Sequence, residues 1–228
     1  MLAAIALIPS APVLVPELAG AAAAEVADLR AAVFAAAAVL PARWIAVGAG
    51  PQDANIGPQA IGTFAGYGVD VQVGLSPAAT GPIGELPLCA LMAGWVRAQV
   101  APQALVEVCA YRAGHDPDTA VACGRALRAE IDAATEPVGV LVVADGCNTL
   151  TAAAPGGFDP DAATVQDALD DALAAGDVAA LADLPSGVVG RVGYQVLAGL
   201  ADGQAFTADQ LYRGAPYGVG YFAGTWRP

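Results

Sequence analysis

The chain has 228 residues, with 22 acidic side chains against nine basic ones, all arginine, for a formal net charge of −13. A surface this acidic repels phosphate, so nucleic acid and anionic membrane are excluded as principal partners; binding them depends on Lys and Arg neutralising phosphates. The composition is 57% hydrophobic but only 6% aromatic, an Ala-, Val- and Leu-rich content that supports a large core and excludes disorder.

The first segment, "MLAAIALIPSAPVLVPELAG" (1–20), is apolar but lacks a basic start, and Pro9, Pro12 and Pro16 interrupt it. It reads as a first strand and its exit loop rather than a leader or a membrane span. Apolar runs at 3–8, 43–48, 69–74, 104–110, 138–144 and 217–224 read as strands. Ala-rich amphipathic stretches at 21–39, 87–99, 117–134, 161–174 and 186–200 read as helices. The third helix has a defined start, because Asp116 and Asp118 favour the helix dipole and Pro117 sits where a missing N–H costs little. Strands alternating with helices predict one α/β domain over 1–228, with a central, mostly parallel sheet covered by helices on both faces.

Ligands of such sheets bind beyond the carboxyl ends of the strands. "VVADGCNTLTAAAPGGFDP" (142–160) is an apolar run that ends there in Asp145, Gly146, Cys147 and Asn148. A thiol nucleophile at Cys147 would need a cation or base beside it, and the only histidine, His115, lies in "YRAGHDP" (111–117), a turn where a surface or capping role is expected. The other cysteines, Cys89, Cys109 and Cys123, sit in apolar patterns without zinc spacing and are expected to be buried and inert, which fits a reducing cytoplasm. "VGAGPQ" (47–52) lacks the glycines of a dinucleotide loop, and Pro51 removes an N–H that an anion would need. Tyr217 and Tyr221, alternating with Gly218 and Gly220, are expected to pack in core and edge.

Four segments, "LIPSAPVLVPELAG" (7–20), "IAVGAGP" (45–51), "VVADGCNTLTAAAPGGFDPDAATVQDAL" (142–169) and "APYGVGY" (215–221), together resemble the class III extradiol ring-cleavage dioxygenase superfamily, the LigB-like proteins with their Memo-like branch. They follow the order of that superfamily from the first strand to the last. The resemblance implies its three-layer α/β/α fold. In its enzymes, histidines after the first two strands and a late glutamate hold ferrous iron, and a further histidine acts as acid and base.

Matched by position, these four residues fall on Ser10, Gly50, Gly214 and Asn148. A hydroxyl, an amide and two glycines bind divalent iron far more weakly than imidazole and carboxylate do. The expectation is therefore a protein without iron chemistry, cofactor or metal. It would bind a small molecule or a partner protein at a pocket shaped by Ser10, Gly50, Asp145, Cys147, Asn148 and Gly214, with Asp145 anchoring a cation or hydroxyl. A homo-oligomer is compatible with so apolar a chain. Two enzyme readings stand beside this one: an extradiol-type oxidoreductase completed by a partner subunit, and a transferase or hydrolase using Cys147.

Overall fold

The computed structural model describes residues 1–228. In chain order the elements are β1 (Leu2–Ile8), α1 (Pro16–Ala19), α2 (Ala27–Ala37), β2 (Arg43–Gly50), β3 (Ala54–Ile56), β4 (Ile61–Thr63), β5 (Gln72–Gly74), β6 (Ile83–Gly84) and α3 (Leu88–Val100). The second half adds β7 (Leu105–Arg112), α4 (Pro117–Ala133), β8 (Val138–Val143), α5 (Ala162–Ala175), α6 (Val178–Ala182), α7 (Arg191–Ala201), β9 (Thr207–Gly214) and β10 (Tyr221–Arg227).

Seven strands form one sheet in the order β3-β7-β2-β8-β1-β10-β9. The four in the middle, β7, β2, β8 and β1, run parallel, whereas β3 and β10 pair antiparallel with their neighbours and β9 pairs antiparallel with β10. A central parallel strand is covered on both faces, so it can be apolar throughout. All six residues of β8 are buried, as its run of four valines, a glycine and a leucine requires.

Two apolar clusters fill the two faces. Ala4, Ala6 and Ile8 of β1 point with Trp44, Val108 and Leu141 toward α2 and α3. Ile5 and Leu7 point with Ile45, Val140 and Val142 toward the layer of α4, α5 and α7. The expected α/β architecture with helices on both faces is thus present. No helix of the chain is long and apolar enough to cross a membrane.

Two helices are buried nearly all round, α3 from Cys89 to Arg97 and α7 from Val192 to Ala201. Each is covered on its far side as well. A small sheet, β5-β4-β6, contributes Val73 to the cluster around α3, and α4 lies on α7. The α4–α7 crossing is so close that a Cβ on Gly124 would strike the backbone of Val196, and one on Gly199 the backbone of Val121.

Several expectations need correction. The strand at 69–74 is extended only over Gln72–Gly74 and belongs to the small sheet. The last strand begins at Tyr221, because Gly218, at φ +72°, turns the chain just before it. The helix at 21–39 is a short 3₁₀ turn over Gly20–Ala24 followed by α2, and the one at 186–200 begins only at Arg191. β9 was not expected at all. Its sequence, "TADQLYRG", is polar because it is the outermost strand, where apolar alternation is not required.

Candidate binding site at the strand tips

Parallel strands put their carboxyl ends on one edge of the sheet. Ser10 follows β1, Gly50 ends β2 and Asp145 follows β8. β9 runs in the direction of β1, so its last residue, Gly214, reaches the same edge and pairs with Tyr221. The edge is shared, but one cleft does not hold all of these residues. Gly214 and Gly50 lie four strand spacings apart, roughly 19 Å.

Ser10 and Asp145 are joined directly. The Ser10 backbone N–H donates to Asp145 Oδ1 at 2.7 Å. Asp145 lies deep but keeps a partly open surface. Burial raises its carboxyl from the ordinary 3.8 to about 7, against the opposing effect of the Ser10 N–H, because the charged form loses water that one hydrogen bond does not replace. Two buried phenols share this neighbourhood. Tyr194 donates to the Ala144 carbonyl at 2.9 Å. Burial first, and the Asp145 charge second, push both Tyr194 and Tyr221 upward, so they stay neutral donors.

The loop after Asp145 is stitched to the last strand and to α5. Gly146 N–H donates to the Gly220 carbonyl and Gly220 N–H to the Cys147 carbonyl, each at 2.8 Å. Cys147 N–H donates to Gln166 Oε1 at 2.8 Å, and Gln166 Nε2 donates to Asp170 Oδ1 at 2.8 Å. The Gln166 amide is wedged between Gly146 and Gly220, where a Cβ on either would overlap it. That explains why two glycines face each other here: the buried amide needs the volume.

The remaining candidates have clear places. Cys147 is 1% exposed and packs into the core opposite Val188. Its thiol is pushed up by burial first and then by the charges of Asp159 and Asp170, with no cation beside it, which removes the basis for a thiolate nucleophile. Asn148 folds back on its own loop, its carbonyl accepting from Gly156 N–H at 3.0 Å. Gly50 sits against Ala110, 3.1 Å from where a Cβ would stand.

His115 is neither a surface nor a capping residue. It is 8% exposed, and its Nε2 lies 2.7 and 2.9 Å from the two oxygens of Asp53. Asp53 Oδ1 also accepts Arg112 N–H at 2.7 Å. That backbone bond first, and His115 second, hold the Asp53 carboxyl below its ordinary value. The helix cap belongs to Asp116, whose Oδ1 accepts Thr119 N–H at 2.9 Å. Cys109 and Cys123 are half-buried rather than buried, and with Asp53, Tyr111 and Glu130 they line a groove of about 300 Å³ between α4 and the β7–β3 edge.

The ferrous site that the sequence resemblance implies does not fit these residues. Ser10 uses its backbone on Asp145, Asn148 is turned into its loop, and Gly50 and Gly214 have no side-chain ligand atoms. No group of three or more His, Cys, Asp or Glu side chains gathers as a ligand set. Sequence reasoning singled out Asp145 but missed Gln166 and Asp170. An unexceptional Gln and Asp on an amphipathic helix carry no local signal of the loop they will hold.

Among solved structures, 18 chains match this fold. One is the uncharacterized protein JW3007 from Escherichia coli K12, with a TM-score of 0.57 at 11% identity over 98% of this chain and 99% of that one. At this identity the likeness concerns the fold alone. No family model and no curated protein matches the chain.

Proposed function

We propose that the chain is a divergent LigB-like protein that has given up iron chemistry and binds a small hydroxyl-bearing molecule at the strand tips around Asp145. The observation that carries this reading is the Asp145 carboxyl itself. It is the one ionisable carboxyl among the candidate residues, it stands where α/β sheets take ligands, and Ser10 N–H occupies only its Oδ1. A carboxyl held near 7 can accept from, or donate to, a hydroxyl at neutral pH. The phenol of Tyr221 stands close enough to feel the Asp145 charge, and Gln166 braces the loop that follows Asp145.

The test uses the full chain with ferrous iron under anaerobic conditions, then catechol and oxygen. Saturable catechol binding, lost in Asp145→Ala, with no oxygen uptake and no stoichiometric iron, is the expected result. Ring-fission product or one firmly held iron per chain would return the protein to the enzymes. Native mass measurement in the same experiment would reveal a second subunit that completes such a site.

A further inference from the structure

β3 is one outer edge of the main sheet, with β7 as its only strand neighbour. The backbone groups of β7 alternate in direction. Leu105 and Ala113 donate toward β2, to the carbonyls of Ala42 and Gly50, whereas Val106 and Arg112 donate the other way, to the Leu75 carbonyl and to Asp53 Oδ1. Val108 and Ala110 share the direction of Val106 and Arg112, so they bond β3 through their partners Ile56 and Ala54. Asn55 lies between those two. Its N–H and C=O therefore point away from the sheet, and the residue is exposed.

That open edge borders a groove. Two adjoining recesses of about 300 and 170 Å³ share Asn55, Cys109, Leu127 and Glu130, and so run into one another between α4 and β3. The buried side chains of Val108, Ala110 and Leu127 make the floor apolar. Three carboxylates, Asp53, Glu107 and Glu130, line the groove, and no basic residue does. Asp53 and Glu107 have partners in His115 and Arg43, whereas Glu130 is in no ion pair. Burial first and the Glu130 charge second raise the Cys109 thiol to about 11, which sets that carboxylate over the groove.

We propose that this groove docks an extended, basic segment of a partner protein, which adds beside β3 through the Asn55 N–H and C=O and lays an arginine or lysine over Leu127 toward Glu130. An open strand edge supplies main-chain bonds to any extended segment, and the pocket beside it selects the side chain. The aliphatic stem of a basic side chain suits the apolar floor while its charged end stays at the wet rim. β3 has only three residues, so the edge alone holds a partner weakly and charge has to add to it. The inference is independent of the Asp145 reading, since the groove lies at the β3 edge and Asp145 at the tip of β8.

The experiment titrates the full chain with a dye-labelled, end-blocked pentapeptide of valine and threonine with arginine at its centre, read by fluorescence anisotropy. Saturable binding is expected, with a central glutamate about tenfold or more weaker. N-methylation of the peptide backbone, which prevents the edge bonds, should weaken the arginine peptide by about tenfold. Asn55→Pro removes the outward N–H and leaves the pairing with β7, and it should weaken the arginine peptide severalfold. Glu130→Gln, an exposed change, should weaken the arginine peptide severalfold and leave a central-glutamine peptide unchanged. The bound arginine peptide should also slow iodoacetamide labelling of Cys123, which lines the groove. Asp183→Asn, in the recess on the other side of α4, should change none of these results. No saturable binding, equal binding of the arginine and glutamate peptides, unprotected Cys123, or unchanged affinity in both Asn55→Pro and Glu130→Gln would overturn the proposal. Agmatine binding as tightly as the peptide would overturn strand addition, and a dimer of the chain that the peptide dissociates would overturn the assignment to a different protein.

Discussion

The Ser10 backbone N–H donates to Asp145 Oδ1 at 2.7 Å, tying together the exits of two adjacent parallel strands across 135 positions of sequence. One neutral donor does not compensate a carboxylate for lost water, so this tie carries a dependence on pH. The folded Asp145 carboxyl, at about 7, lies above its ordinary 3.8. Its favourable contribution is fully present below pH 4 and is lost as pH rises through 7. Asp170, raised to about 6, acts in the same direction over the lower part of that window. Asp145→Asn should therefore gain on wild type as pH rises, by on the order of 3 kcal/mol at pH 8 relative to pH 4. Urea unfolding at the two pH values would measure it, and parallel curves for the two proteins would contradict the origin assigned to the shift.

The wedge of Gln166 between two glycines gives a second outcome. Gly146→Ala and Gly220→Ala each place a methyl group on a buried, doubly hydrogen-bonded amide, and each should destabilise by about 2 kcal/mol. In a Gln166→Ala background the added methyl has room, so the two effects should fall well short of additivity. A double-mutant cycle in urea reads the coupling directly.

Where α4 crosses α7 the obstacle is backbone, which no rotamer change relieves. Gly124→Ala and Gly199→Ala should each cost about 3 kcal/mol or more. In contrast, an alanine at Gly114, with nothing within 4 Å of its Cβ, should fall within about 0.5 kcal/mol of wild type. Thermal melts of the three variants would rank them.

The four thiols should alkylate in an order set by access and by charge. Cys89 is buried, with its thiol pushed up to about 12, and Cys147 is buried with its thiol also raised. Cys109, raised to about 11, and Cys123 open onto the α4 groove. With iodoacetamide near neutral pH, peptide mass spectrometry should find Cys123 and Cys109 labelled first, all slowly. Rapid and selective labelling of Cys147 would restore the nucleophile reading.

Much of the fold was legible in the order of residues, and the reason is burial. A strand covered on both faces must be apolar along its length, so β1, β2 and β8 announce themselves as short continuous runs, whereas β7 alternates buried with partly exposed residues. Asp116 and Pro117 mark the start of α4 because unpaired N–H groups at a helix end need an acceptor, and that need is local. β9 was hidden for the complementary reason: an outer strand makes no such demand on its side chains. Position at the strand tips was legible too, since Asp145 ends the most apolar run of the chain.

What the sequence could not contain in any local form is the set of distances that gives those tips their chemistry. Ser10 reaches Asp145 because β1 and β8 are neighbours, Gln166 reaches Cys147 because α5 lies under the loop, and His115 meets Asp53 because β2 and β7 end side by side. Residue type sets what each group can donate, accept or bury. Only the folding of distant segments into contact decides which partner it finds, how far its carboxyl is moved from its ordinary value, and which oxygen is left free.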